Sequence, residues 1–322
     1  MTNPAQERAT RLASLPFQTT EAISSRPIGA FFRSVKEIVA HRELLDLLIR
    51  RELKSRYKDS ALGFLWSLVK PLTMLVIYFV FIGQILGAAR GVPEFAIFVF
   101  AGLTLWGLFS EIIASGTGSI VGNAGLIKKV YLPREIFPLA SVGSAIFNFL
   151  VQFVVLVGAT VVLGQVPFSA DIVYVPLGVI VVLIYGVALA LLLSALNVYL
   201  RDIQYLVEVF ILLFFWASPI VYSWSYVVDA AQRTGYVWLM EIYLWNPITV
   251  AMLAFQKGMW TAGSRDNVMG QDAAGADIVV QAQPWPVDLN LRLLIAALIG
   301  LVLVWICQRV FSRLQGNFAQ EI

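Results

Sequence analysis

The sequence predicts an all-α polytopic membrane protein with six transmembrane helices, and three observations carry that prediction. Hydrophobic residues make up 59% of the 322 residues and charged residues 13%, about half the charge of an ordinary soluble domain. The apolar residues gather in runs close to the roughly 20 residues a helix needs to cross a bilayer. The basic residues are also asymmetric. With both termini cytosolic, only Arg90, Arg233, Lys257, Arg265 and Arg292 lie outside or at the outer edge, as the positive-inside rule requires. A β-barrel is disfavoured, because the runs are too long and lack strand alternation.

Residues 1–30 are polar, contain proline and lack the apolar centre of a signal peptide. They are expected to form a flexible cytosolic tail, with the first span acting as an uncleaved signal. Residues 31–60 follow as an amphipathic helix. Phe31, Val35, Ile38, Leu45, Leu48 and Leu53 recur at helical spacing on an otherwise charged segment, which suits a helix lying at the cytosolic interface. A helix packed on the membrane domain remains the alternative. His41 within it reads as a solvated surface residue.

The membrane domain is expected over residues 61–315. Its spans cover about 64–87, 95–116, 136–163, 172–197, 205–223 and 290–309. Lys70-Pro71 falls in the first turns of the first span, where lysine can snorkel and proline is tolerated. The loop 118–135 is cytosolic and basic, and that at 199–204 is cytosolic and tiny. The external segment 223–289 is long. Its part Val237–Gly258 is apolar and aromatic but broken at Asn246-Pro247, so it reads as two short re-entrant helices. Residues 261–286, rich in Gly, Asp, Ala and Gln, read as an exposed polar excursion.

The chemistry-bearing residues argue against an enzyme. The sequence has no G-x-x-x-x-G-K-[ST] phosphate loop. One cysteine and one histidine provide neither a metal cluster nor a convincing catalytic triad. Cys307 has no internal disulfide partner and reads as a core or lipid-facing residue. The net charge of +3, with its basic cluster beside a span, points to cytosolic orientation or anionic lipid rather than nucleic acid.

Transport powered by a partner is therefore the more natural reading. A short helix at 124–132 presents Leu126, Ile127, Val130 and Tyr131 beside Lys128 and Lys129. It is either a knob that docks on a cytosolic protein or a basic turn that fixes topology. Glu111 and Glu208 at membrane depth fit structural pairing or a watery pathway equally. Glu135 opens the third span, where it can accept from Arg134 or other interfacial donors. The chain holds 21 Phe, 11 Tyr and 9 Trp, most of which should anchor or pack helices. Tyr78, Phe81, Trp106, Phe109, Phe215 and Trp216 are the candidates for rings that stack on the C–H faces of a sugar chain. Pro219, Asn246 and Pro247 mark bends that form either an external gate or static kinks.

Arg51-Glu-Leu-Lys-Ser-Arg-Tyr-Lys-Asp-Ser-Ala-Leu-Gly-Phe-Leu-Trp66 and Lys70-Pro71-Leu72 resemble the opening of the ABC-2 type polysaccharide-exporting permeases. Ile127–Leu139, Tyr199-Leu-Arg-Asp-Ile203, Ser218-Pro-Ile-Val-Tyr222 and Asn246-Pro-Ile-Thr249 complete the pattern in the same order, over about residues 35–315. The resemblance implies the type V exporter membrane fold and a homodimer in the inner membrane. It also implies two copies of an ATPase subunit that binds ATP and Mg, with no cofactor in this chain. The amphipathic helix is similar to the family's gate helix, and Leu126–Tyr131 to its coupling helix.

Within the family the sequence looks most like the mycobacterial exporters of lipid-linked galactan for arabinogalactan synthesis. The substrate is then an undecaprenyl- or decaprenyl-pyrophosphate glycan. Arg50, Arg51, Lys54, Arg56 and Lys58 are the pool for its pyrophosphate, unless they hold anionic phospholipid instead. O-antigen or teichoic acid export, and small-lipid or drug export on the same fold, are the alternatives. A secondary transporter or a non-transporting scaffold lies further off.

Overall fold

The computed structural model describes residues 27–57, 65–129, 132–271 and 277–322. The tail through residue 26, together with Lys58, Val130 and Tyr131, lies outside the described residues. Among the described residues the regular structure is helical apart from one small hairpin, and the chain is an all-α polytopic membrane protein. Among the described residues, five helices are long and apolar enough to cross a membrane, and a bent pair makes a sixth if it counts as one span.

The amphipathic segment is two helices, α1 (Pro27–Ala40) and α2 (Arg42–Tyr57). They meet at His41, whose Nδ1 lies 2.8 Å from the Glu37 carbonyl. That carbonyl also accepts from the His41 backbone N–H, so the ring competes for the helix's own acceptor. The His41 side chain is exposed, as expected. On α2, Leu48 is buried and Leu47 is exposed, so the helix turns one stripe inward. Ile49 sits over Gly143, where a Cβ would come within 2.3 Å of its Cδ1.

The first span is α3 (Trp66–Ile77), which widens into a π-helical stretch at Tyr78–Ile85. Then come α4 (Phe95–Gly122), the single turn α5 (Ala124–Ile127), α6 (Ile136–Val162) and α7 (Tyr174–Tyr199). Helix α4 is central, with 78% of its most apolar window buried, against 6% for the first span. It packs chiefly on α6 and α7. Gly116 allows the close approach to α7, since a Cβ there would lie 2.6 Å from that of Ala190. Small residues are the usual means by which membrane helices come together.

The expected fifth span differs. It is α8 (Ile203–Trp216), of 14 residues, or roughly 21 Å at 1.5 Å per residue. That falls short of a hydrocarbon core of about 30 Å. Proline lacks an N–H and biases the preceding residue away from helix, so the helix stops before Ser218-Pro219. Residues 217–223 continue as turns. Ser218, Ile220 and Val221 there are buried, so this non-helical backbone is sheltered by protein.

Beyond the turn lie α9 (Trp224–Thr234), α10 (Trp238–Leu244) and α11 (Pro247–Met259). The last two form the bent pair, at 84°. The polar excursion carries regular structure in its described residues. It contains an antiparallel hairpin of β1 (Asn267–Gln271) and β2 (Asp277–Val280). Gln283 behind it is buried, and the Trp224 Nε1–H donates to the Pro284 carbonyl at 2.9 Å. Helix α12 (Leu289–Leu314) returns across the bundle and ends in α13 (Phe318–Glu321). Cys307 is buried in it. A second apolar cluster of Leu48, Ile127, Ile136, Phe137, Phe311 and Phe318 closes the end that carries α1, α2 and α5.

Candidate translocation cavity and coupling surface

A cavity of about 710 Å³ lies between α3, α4, α6 and α8. Each helix contributes residues at its own period. Trp66, Lys70, Met74 and Tyr78 recur every four residues along the first span, and Glu208, Ile211, Leu212 and Phe215 form one face of α8. Asn148 and Gln152 do the same on α6, as the 3.6-residue repeat dictates.

The rings form a connected wall. Tyr78 stacks on Phe215 at 5.9 Å between centroids, and Phe215 meets Trp106 edge-on at 5.7 Å and Trp216 at 5.5 Å. Polar groups share the lining with them. The Asn148 amide is 4% exposed and donates to Glu111 Oε1 at 2.7 Å. Gln152 is also buried. The lining offers ring faces together with amide, carboxylate and ammonium groups.

Of the six expected rings, Tyr78, Trp106, Phe215 and Trp216 line the cavity. Phe81 and Phe109 do not. Phe109 is 1% exposed and packs behind Trp106 at 5.5 Å. Phe81 is exposed elsewhere. In a π-turn three residues fall well short of one revolution, so Phe81 leaves the face of Tyr78. Sequence reasoning missed Trp66, Lys70, Asn148 and Gln152. Two amides four residues apart in an apolar run were the signal available for the last two.

At the end that carries α1 and α2, α4 stops at Asn123, whose Nδ2–H donates to the Ser119 carbonyl at 2.7 Å. The following helix is one turn, shorter than expected. Leu126 is half-buried, Ile127 is buried, and Lys128 and Lys129 are exposed. Ile127 therefore anchors the loop on the bundle, and the two lysines face outward.

The basic pool on α2 is dispersed. Arg50 pairs with Asp46 at 2.8 Å, Arg51 donates to the Asn123 side chain, and Lys54 is exposed. Arg56 follows on the same helix.

At the opposite end, the Ser218–Ile220 turn is fully engaged. Pro219 is buried, and its carbonyl accepts from Gln256 Nε2 at 2.7 Å. Asn246 caps α11, its Oδ1 accepting from the Ile248 N–H at 3.0 Å, and its Nδ2 reaches the Ala217 carbonyl at 3.4 Å. Pro247 occupies the first turn of α11, where its missing N–H costs nothing. These bends form a hydrogen-bonded joint in this conformation. Arg292 of α12 binds both Glu241 of α10 and Asp288, each at 2.8 Å. The guanidinium holds the Asp288 carboxyl below its usual range.

Comparison with known proteins fits this geometry. The chain is 28% identical over 290 residues to the O-antigen export system permease protein RfbA of Myxococcus xanthus, covering 90% of this chain and 99% of that protein. It is 29% identical over 214 residues to the protein of the same name in Klebsiella pneumoniae, covering 66% and 79%. To the polysialic acid transport protein KpsM of Escherichia coli it is 29% identical over 82 residues, covering 26% of this chain and 32% of that one. Residues 43–260, more than half of the chain, match the ABC-2 type transporter family, and this multi-pass membrane protein belongs to it.

Proposed function

We propose that this chain is the permease subunit of an ATP-driven exporter of lipid-linked polysaccharide. Two copies act with two copies of an ATPase subunit that binds ATP and Mg. The observation that carries the reading is the cavity, whose lining combines Trp66, Tyr78, Trp106, Phe215 and Trp216 with Glu111, Asn148 and Gln152. Ring faces stack on sugar C–H groups, and amides and carboxylates take the hydroxyls. The relatives named for O-antigen export and polysialic acid transport support the same substrate class. The sequence carries no phosphate loop of its own, so the driving energy comes from the partner.

The α1, α2 and α5 end faces the cytosol, where Lys128 and Lys129 meet the ATPase. The cations of α2 are then the candidates to receive the lipid pyrophosphate. We assign galactan on a polyprenyl pyrophosphate as the glycan. The cavity has Glu111 and Glu208 against Lys70 as its charged lining, which suits an uncharged chain better than a polyanion.

The test uses sealed vesicles containing this chain, its co-purified ATPase and radiolabelled polyprenyl-pyrophosphate galactan. ATP-dependent movement of the glycan is expected. Movement of an O-antigen lipid and not of galactan replaces the substrate and keeps the exporter. Movement without the ATPase overturns the reading.

Trp216→Ala removes an exposed ring without opening the core. Covering about 60 Å² of ring face at roughly 25 cal/mol per Å² is worth about 1.5 kcal/mol, or about tenfold in binding. Glycan transport at low substrate should fall by about that factor.

A further inference from the structure

We propose that Glu135 is a positioning residue that makes the basic loop, α1 and the end of α12 move as one body when the ATPase drives export. The inference rests on the exporter reading above. Glu135 is 4% exposed and is the one charged side chain among the buried polar residues described. It lies immediately after Arg134, where the loop from Asn123 ends and α6 begins.

Three donors from two distant parts of the chain converge on its Oε1. Ser34 Oγ of α1 lies at 3.0 Å, Gln308 Nε2 of α12 at 3.3 Å and Ser312 Oγ of α12 at 3.4 Å. Gln308 Nε2 also reaches Ser312 Oγ at 2.9 Å, which holds the two α12 donors together.

The joint matters because α1 has little apolar grip. Phe32, Val35 and Val39 are exposed, and Ser34 is a polar tie of this helix to the bundle. The loop's other end is held in the same way, by Arg51 of α2 on the Asn123 side chain. Ser141 of α6 adds a longer contact to Glu52 of α2, at 3.5 Å. The loop that carries Lys128 and Lys129 is thus tied to the amphipathic pair at both ends. A push on those lysines reaches α1 through Glu135 and α2 through Asn123.

Burial pushes the Glu135 carboxyl above its usual range, against the pull of its hydrogen bonds. A buried charge is a poor source of stability compared with an apolar residue of similar size. A shared acceptor, by contrast, fixes three elements directionally. The function needs an acceptor oxygen at this point, and glutamine supplies one.

The test is the number of glycans moved per ATP hydrolysed, in vesicles holding the complete complex. Ser34→Ala is expected to keep ATP hydrolysis while glycan moved per ATP falls about fivefold, the factor a single hydrogen bond supplies. Glu135→Ala, which removes the acceptor of all three donors, should lower that ratio at least as far. Glu135→Gln should keep the wild-type ratio, because its Oε1 still accepts. Ser34→Ala removes only the α1 tie and leaves α6 and α12 joined, so it reads coupling even where Glu135→Ala assembles poorly. A wild-type ratio in both alanine variants overturns the inference. So does a glutamine variant as uncoupled as alanine. If the wild-type complex moves no glycan with ATP, the exporter reading fails and this inference with it. If the wild type transports and the variants match it, the inference alone fails.

Discussion

At the residue scale, the ionisation of Glu135 gives a prediction independent of transport. Burial holds its pKa above the ordinary 4.5, so the folded protein binds this proton more tightly than the unfolded chain does. Stability is then lost as the pH rises from 4.5 through the folded value. Glu135→Gln keeps the acceptor and removes the charge, so it should melt higher than wild type at pH 7. The gap should close as the pH falls below 4.5, in melting curves taken in detergent across that range. Little of this was legible beforehand. The sequence places Glu135 at the start of a span, but its donors are 101 and 173 residues away. Trp106 and Phe109 make the same point. They sit three apart on one helix, yet one lines the cavity and the other is sealed behind it. Only tertiary packing separates them.

At the element scale, long helices were legible because apolar length and helical period are local properties. Their ends were legible where proline or asparagine acts locally, as at Asn246-Pro247. The shortness of α8 was legible only in part: Pro219 marks a bend, but the buried turn after Trp216 has the same hydropathy as a membrane span. The seat of α2 on α6 was not legible, because it depends on a single missing side chain. A Cβ at Gly143 would lie 2.3 Å from Ile49 Cδ1 and 2.8 Å from its Cγ1. Gly143→Val should therefore destabilise by about 1–3 kcal/mol, the usual cost of overpacking. Adding Ile49→Ala empties the same space. The double variant should lose less than the sum of the two single ones, in thermal melts of the purified complex. Strict additivity would show that Ile49 does not occupy that seat.

At the scale of the whole molecule, the first span raises the question of what covers it. Only 6% of its apolar window is buried, whereas α4 beside it is 78% buried, and Trp66, Val76, Phe79, Phe81 and Ile85 are exposed. The same helix forms a wall of the cavity. Lipid against this face would leave a single helix between it and the polar groups of the cavity. A second copy there would extend the cavity into a path shared by two subunits, large enough for a chain of sugars. The proposed dimer is thus expected to meet along the first span, with Phe81 at its seam rather than in the channel. Phe81→Cys, in a Cys307→Ala background, should give an oxidative cross-link between copies in native membranes. Val154→Cys on α6, 69% exposed, should not. The reverse pattern would move the seam to α6 and leave the first span facing lipid. Cross-linking at Phe81 should also fall with ATP if the two first spans separate to admit the glycan, since a path between subunits must open at their contact.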